Sequence, residues 1–166
     1  MQEFKNGTGP TTSIFLPDSR FAKLVQNMDT VDNVREDIAQ KARDGQPIEG
    51  HYDFNLGDVE GAGARIMQMP ADAYRMLNPH MSEDLKNSAA TFLGSYQLYA
   101  TPTKIDRVHR VISVDFHLRN TTSNTSLHRN PVTGYNKNYH SPVQDPTTGP
   151  YRSTNQHVFW SEKIPY

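Results

Sequence analysis

The sequence contains no cysteine, and this absence removes several kinds of chemistry from consideration. Without a thiol the chain can form no disulfide, no cysteine nucleophile and no thiolate site for zinc or an iron–sulfur cluster. The absence of cysteine does not indicate a cellular compartment, because proteins without disulfides occur in every compartment. The absence therefore limits the chemistry of the chain and not its location.

Net charge and long apolar runs are also lacking. Lys and Arg total 17 against 18 Asp and Glu, so the formal charge of -1 gives no long-range field that would concentrate nucleic acid or anionic lipid. No nucleic-acid partner is evident, and any such partner must be contacted locally. No apolar run approaches the roughly 20 residues that span a bilayer, and the N-terminus lacks the apolar core of a signal peptide. We therefore expect neither a transmembrane segment nor a secretion signal.

The distribution of residues along the chain predicts one α+β domain covering residues 1–166. This length is usual for a single domain, and aromatic residues, 10% of the chain, supply large apolar surfaces for a core. A helical period dominates residues 18–93, and a period of two dominates residues 94–166. We therefore predict N-terminal helices packed on a C-terminal antiparallel β-sheet with a long polar loop.

Two amphipathic helices are predicted near the N-terminus. Asp18 is a candidate N-cap for the first, whose apolar positions recur at i, i+3, i+4 and i+7. The second begins at about residues 29–30, and Gly45 ends it. Further helices are predicted after Pro70 and from Ser82. The apolar positions of the first helix are Phe21, Leu24, Val25 and Met28.

The glycine-rich stretch that begins at residue 51 is predicted to be a packed loop. Residues 51–58 mix aromatic side chains with turn formers, and Gly57, Gly61 and Gly63 allow backbone angles that other residues avoid. Neither G-x-G-x-x-G nor G-x-x-x-x-G-K-[ST] occurs there. A phosphate-binding loop is therefore not expected.

Three strands are predicted in the second half of the chain. The first covers residues 94–100 and ends at a turn-prone stretch, residues 101–103. The second covers residues 109–119 and alternates strictly, and the third covers residues 156–164 and contains Trp160. In the second strand one face carries Ile112, Val114, Phe116 and Leu118, and the other carries Ser113, Asp115, His117 and Arg119.

The polar face of the strand at residues 109–119 and the polar segment at residues 120–155 form the best candidate site. A histidine beside a carboxylate can act as a general base, and arginine offers a planar fork to phosphate or carboxylate. Long loops of this composition often carry function. The simpler alternative is a solvated face, since antiparallel sheets normally leave one face polar. The predicted catalytic residues are Asp115, His117, His128, Arg129 and Glu162, and the predicted substrate-binding residues are Arg119, Asn120, Ser123 and Ser126.

Other chemistries find less support in the sequence. The hydroxyls at residues 121–126 have no G-x-S-x-G elbow or S-x-x-K pairing to activate a nucleophile. The seven histidines form no H-E-x-x-H, H-x₃₋₅-H or facial-triad pattern, so no metal site is predicted. The sequence names no cofactor.

Three separated motifs carry a resemblance to a known family. They are Asn6-Gly-Thr-Gly-Pro10, Phe92-Leu-Gly-Ser-Tyr96 and a C-terminal pattern of N-x-T-S-x-x-S, Arg, Pro, G-P and Q-x-x-x-W-x-E. The C-terminal pattern reads here as Asn120-Thr-Thr-Ser-Asn-Thr-Ser126, Arg129, Pro131, Gly149-Pro150 and Gln156-His-Val-Phe-Trp-Ser-Glu162. In their order and spacing, these motifs resemble the C-terminal toxin tips of bacterial RHS-repeat and related polymorphic toxins.

This resemblance implies a context but no reaction. It implies a cargo domain of a larger RHS-type delivery protein, secreted into a competing bacterial cell, and a cognate immunity protein in the producing cell. Together with the candidate site, it leads us to expect an antibacterial effector that acts as a hydrolase on an unspecified substrate. The alternative from another class is a non-enzymatic tip that binds an envelope target through its polar loop.

A second, weaker similarity is to colicin M-type toxins, which cleave the pyrophosphate of lipid II. Tyr52-Asp-Phe54 and His128-Arg129 look like parts of the catalytic segment of that family. The two fragments lie far apart in this sequence, whereas in that family they are close. The similarity keeps lipid II cleavage as an alternative hydrolase activity.

Overall fold

A computed structural model describes residues 6–48, 50–54, 93, 95–122, 148–150 and 152–166. Most of the long polar segment, the glycines after residue 54 and almost all of the helices predicted after Pro70 and from Ser82 lie outside these residues. Four predicted site residues also lie outside them: Ser123, Ser126, His128 and Arg129.

The predicted α+β class is confirmed, with two N-terminal helices against a five-stranded sheet. The elements are β1 (Thr12–Phe15), α1 (Arg20–Gln26), α2 (Asp29–Arg43), β2 (Gly50–Phe54), β3 (Tyr96–Asp106), β4 (Val111–Thr122) and β5 (Thr154–Pro165). The strand order is β1-β5-β4-β3-β2, and every neighbouring pair is antiparallel except β1 and β5. The C-terminal strands are therefore antiparallel, as predicted, and the N-terminal strand β1 adds a parallel pairing that was not predicted.

The core lies between the two helices and one face of the sheet, which we call the inner face. The predicted apolar face of β4 is buried, and the Phe116 ring stacks on Trp160 of β5 at 4.8 Å between centroids and 7° between planes. Each fully buried side chain of this size contributes about 1.5–3 kcal/mol relative to leaving it exposed. The fully buried members include Val25, Met28, Val31, Ile38, Leu98, Ile112, Val114, Leu118 and Val158.

The ends of the helices follow the expected capping chemistry with one change. Ser19, and not Asp18, is the N-cap of α1, since its Oγ accepts a hydrogen bond from the Ala22 N–H at 3.2 Å. Both residue types cap well, and local spacing alone does not decide between neighbours. Helix α2 ends where predicted, with Gly45 in the left-handed region at φ +67°. Among the described helices, none is long and apolar enough to cross a membrane.

Two predicted loop segments are strands in the structure. Residues 51–54 belong to β2, where Tyr52 faces the helices and donates a hydrogen bond to Asp37 Oδ2 at 2.7 Å. Residues 101–103, predicted as a turn, lie inside β3, and a register shift between Pro102 and Lys104 accommodates the proline in the ladder. Proline lacks an N–H donor, and an irregularity in the pairing is where a strand tolerates it.

The turn between β3 and β4 starts later than predicted. The Asp106 carboxylate accepts hydrogen bonds from the backbone N–H groups of Val108 and His109, and Arg110 has a positive φ of 53°. Strand β4 therefore begins at Val111, so His109 lies in the turn and not in the strand.

A bidentate ion pair connects α2 to the inner face of β5. Arg35 Nε and Nη2 donate to the two carboxylate oxygens of Glu162, each at 2.8 Å, and Arg35 Nη1 donates to Asp32 at 2.6 Å. Glu162 lies on the same face as Trp160, as the period of two predicts. Because both side chains are only about a quarter exposed, 25% for Arg35 and 22% for Glu162, the pair is partly shielded from water.

We predict that Glu162→Ala lowers the free energy of unfolding by about 1–3 kcal/mol, because it removes both hydrogen bonds between Glu162 and a guanidinium that is largely shielded from water. Denaturant unfolding measures this effect. Lys163→Ala, an exposed neighbour on the same strand, is the matched control and changes stability by less than about 0.5 kcal/mol. A double-mutant cycle with Arg35→Ala should be non-additive, and additive losses would show that the pair does not couple helix and sheet.

Candidate functional site

The side of the sheet turned away from the two helices carries polar and aromatic residues. We call it the outer face. It exists because β4 and β5 both alternate, so the residues that do not enter the core all project to the other side. Its central members are His51 and Asp53 of β2, Gln97 and Tyr99 of β3, Asp115, His117 and Arg119 of β4, and His157, Phe159 and Ser161 of β5.

A row of four rings crosses this face from β2 to β5, and we call it the ring row: His51, Tyr99, His117 and Phe159. The cross-strand register pairs His51 with Tyr99, Tyr99 with His117, and His117 with Phe159. Centroid distances along the row are 4.6, 5.9 and 4.2 Å. Stacked aromatic pairs contribute about 0.5–1.5 kcal/mol beyond their buried area, so the row fixes the orientation of the His117 ring.

The His117 imidazole forms a hydrogen bond with a second imidazole. His117 Nε2 lies 2.9 Å from His157 Nδ1, across a diagonal of the β4–β5 ladder. The predicted catalytic residue Asp115, on the same strand face, is not the hydrogen-bond partner of His117. Two residues along a strand are separated by about 6.6 Å, which is too far for a direct hydrogen bond. Asp115 instead accepts a hydrogen bond from Ser161 Oγ at 2.6 Å.

A neutral pair of this kind always presents one acid and one base. One inner nitrogen carries the shared proton and the other accepts it, because neutral imidazole has one N–H and one lone pair. Of the two outer nitrogens, His117 Nδ1 and His157 Nε2, one must then carry a hydrogen and the other a lone pair. When one outer nitrogen gains a proton and the other loses one, the inner proton crosses the 2.9 Å contact and these roles are exchanged. The pair can therefore donate a proton at one end while it accepts a proton at the other.

The electrostatic environment keeps His117 neutral. Partial burial lowers the pKa of His117 below its ordinary 6.5, and the positive charges of His157 and Arg119 lower it further. At neutral pH the imidazole is therefore available as a base.

A cavity of about 360 Å³ opens beside the histidine pair, where β4 ends and β5 begins. Its volume is within the range of small-molecule sites. The Arg119 guanidinium lines it, and the described part of the chain offers this guanidinium no hydrogen bond or ion pair. An unpaired cation next to a general base is a place for an anionic group. Other polar groups that line the cavity come from Asp53, Gln97, Thr121, Asn155 and His157.

The structure brings some predicted site residues together and separates others. His117 and Arg119 lie close enough to interact electrostatically on the outer face, and Asn120 lines the same cavity as Arg119. The Asn120 amide also donates to Gln156 Oε1 at 2.8 Å, below the sheet surface. Glu162 does not join them, because it lies on the inner face and binds Arg35. Asp115 shares the outer face but contacts Ser161 rather than the histidine pair.

Among the residues of this arrangement that sequence reasoning missed are His157 and Tyr99. The alternation that places Trp160 inside also places His157 on the outer face, so the direction of its side chain could have been predicted. The hydrogen bond of His157 with His117 could not have been predicted, since it depends on which residues of β4 and β5 lie opposite each other. Within the described ranges, no group of three or more His, Asp or Glu side chains is arranged to hold a metal ion.

Comparisons with protein-family models, curated proteins and solved structures give no match to this chain. The resemblance to polymorphic toxin tips therefore stays a prediction that depends on its motif residues. The chemistry of the outer face is the other basis on which a function can be proposed.

We predict that His117 titrates below pH 6.5, as an imidazole NMR titration would show. Since its pKa is lower in the folded than in the unfolded chain, the folded state is penalised as pH falls below 6.5, and above 6.5 this group has no effect on stability. His157→Asn removes a neighbouring positive charge and should raise the pH midpoint of the His117 titration. His109→Asn, a change in the exposed β3–β4 turn, should leave this midpoint unchanged. A midpoint at or above 6.5 in the parent would contradict this description.

Proposed function

We propose that this chain is an enzymatic antibacterial effector, a hydrolase in which the His117–His157 pair is the acid–base catalyst. The observation that carries the proposal is the 2.9 Å hydrogen bond between these imidazoles, located beside a cavity of about 360 Å³ that Arg119 also lines, a cation for which the described residues provide no ion-pair partner. Base, acid, anion binder and space for a substrate then occur within one part of the outer face. These are the components that an acid–base site requires.

The reaction that fits these components is cleavage of an ester of an anionic group. The base end of the pair takes the proton of the attacking hydroxyl or water, whose oxygen bonds to the central atom of the ester. The acid end gives its proton to the departing oxygen as the ester bond breaks, so the charge of the pair is conserved. Arg119 binds the anionic oxygens on which negative charge accumulates. General acid–base catalysis of this kind contributes about 10²- to 10⁴-fold in rate.

The effector context comes from the motifs rather than from the site. The N-x-T-S-x-x-S and Q-x-x-x-W-x-E segments resemble polymorphic toxin tips, and two residues of the second motif have identifiable roles in this fold. Trp160 is a core residue and Glu162 binds Arg35, so these motif positions serve the fold. We propose that the chain reaches a competing bacterium as the cargo of a larger RHS-type delivery protein and that a cognate immunity protein neutralises it in the producing cell.

A second candidate activity is cleavage of the lipid II pyrophosphate, as in colicin M-type toxins. One observation favours it: Asp53, the central residue of the Tyr52-Asp-Phe54 fragment, lines the same cavity as Arg119. Asp53 also accepts a hydrogen bond from Gln97 Nε2 at 3.1 Å, which holds its carboxylate at the cavity wall.

We predict that His117→Asn and His157→Asn each reduce killing of a sensitive bacterium by about 10²-fold or more, because each removes one end of the acid–base pair. Killing is measured as loss of viable cells after induced expression, with the chain directed either to the cytoplasm or to the periplasm. Circular dichroism and thermal melting establish that the variants fold.

The matched control is His109→Asn, which changes a histidine in the exposed β3–β4 turn and should kill as the parent does. If folded variants at both His117 and His157 kill as well as the parent, the acid–base proposal is wrong and a non-enzymatic tip that binds an envelope target is the better description.

A further inference from the structure

The two outer nitrogens of the histidine pair suggest a specific substrate. In the pair, the loss of a proton at one end and the gain of a proton at the other are coupled through the inner hydrogen bond of 2.9 Å. After one catalytic step both imidazoles are neutral again, but their tautomers are exchanged. A reaction that runs in two steps with opposite proton requirements would return the pair to its starting state without help from solvent.

Cleavage of RNA is such a reaction. In the first step the 2′-hydroxyl loses its proton to a base, O2′ bonds to phosphorus, and the bond from phosphorus to O5′ breaks as O5′ takes a proton from an acid. In the second step water loses its proton where O5′ departed, its oxygen bonds to phosphorus, and O2′ leaves with a proton. Base and acid exchange roles between the steps. No oxidant, reductant or other co-reactant is needed.

We propose that the outer face binds and cleaves single-stranded RNA, with one nucleotide held in the cavity beside Arg119. This inference rests on the proposed function, whose catalytic pair it retains, and adds the substrate class. His157 and Arg119 line the cavity, and His117 is hydrogen-bonded to His157, so a phosphodiester bound by Arg119 lies next to the pair. The attacking hydroxyl belongs to the substrate, and intramolecular attack of this kind has effective molarities of about 10⁵–10⁸ M.

The remaining cavity wall suits a nucleobase. Thr121 Oγ1 donates a hydrogen bond to Asn155 Oδ1 at 2.9 Å, so that, among the described residues, the Asn155 amide N–H groups and the Thr121 oxygen are left to contact the edge of an unstacked base. Phe54 and Tyr96, which also line the cavity, stack on each other at 5.0 Å and give it one aromatic side. Proteins that act on a single nucleotide combine edge hydrogen bonds with aromatic contacts in this way.

The overall charge of the chain fits a local contact with RNA. The formal charge of -1 gives no long-range attraction to a polyanion, so binding depends on a small number of placed cations. Arg119 supplies one cation at the phosphate position. We therefore expect modest affinity with a shallow dependence on salt, and specificity for unpaired RNA, whose bases can enter the cavity.

The test uses the purified chain with a fluorescently labelled single-stranded RNA of mixed sequence. Expected products carry a 2′,3′-cyclic phosphate, later opened to a phosphate monoester, and a 5′-hydroxyl. The same sequence as DNA, or as RNA with 2′-O-methyl groups, should stay intact because it lacks the attacking hydroxyl. His117→Asn and His157→Asn should each lower the rate about 10²-fold or more, and His109→Asn should not.

Two further variants test the cavity. Arg119→Gln should lower kcat/KM more than Arg119→Lys, since lysine keeps the charge and loses only the planar fork. Asn155→Ala should raise KM with little change in kcat if the amide binds a base.

The results separate this inference from the proposed function. Intact RNA together with histidine-dependent killing would overturn the RNA substrate and leave the acid–base effector in place. Equal cleavage of RNA and DNA would also overturn it, because the substrate hydroxyl would then have no role. Intact RNA and killing that ignores both histidines would overturn both proposals. Cleavage of RNA alone, lost in both histidine variants, would support both.

Discussion

The pairing register of β4 with β5 is the constraint on which the rest of this structure depends. One register places Phe116 opposite Trp160 in the core, and His117 opposite Phe159 on the outer face. A slip of one residue would send the imidazole inside and the aromatic core outside, at a cost of several buried side chains. The apolar contacts of the inner face therefore hold the polar arrangement of the outer face in place. The stability of the fold and the geometry of the site have the same origin.

The two faces of the sheet divide the ionisable residues between structural and chemical roles. Glu162, on the inner face, forms an ion pair with Arg35, and this pair joins α2 to β5. On the outer face, Arg119 has no such partner among the described residues, and His117 is hydrogen-bonded to another imidazole. A fully paired charge is held fixed by its partner, whereas an unpaired one next to a cavity can bind a ligand. Glu162 therefore fits a structural role better than the catalytic role that the sequence predicted for it.

Local patterns in the sequence predicted the parts of this fold that depend on neighbours along the chain. The strict alternation at residues 112–118 gave β4 with the correct face buried, and Gly45 marked the end of α2. Features set by distant residues were missed. The parallel pairing of β1 with β5 and the contact between His117 and His157 join segments 40 or more residues apart, and no local period reports such pairs. The outward-facing side of β4 was therefore predicted correctly, whereas the hydrogen bond between His117 and His157 was not predicted.

The position of the cavity follows from the same topology. Neighbouring strands from β2 to β5 are antiparallel. The end of β2, the start of β3, the end of β4 and the start of β5 therefore all lie at the same end of the sheet. Side chains from four separate segments therefore meet there on a rigid support, as catalytic constellations require. The opposite end of the sheet carries the short β3–β4 turn, in which Asp106 accepts a backbone hydrogen bond. Among the described residues, polar side chains from several segments do not meet around a comparable cavity there. Thr122 at the end of β4 and Thr154 at the start of β5, which belong to or flank the polar stretch that the sequence singled out, lie at this end of the sheet. Sequence composition and sheet topology thus point independently to the same end of the molecule, and the histidine pair gives that end its chemistry.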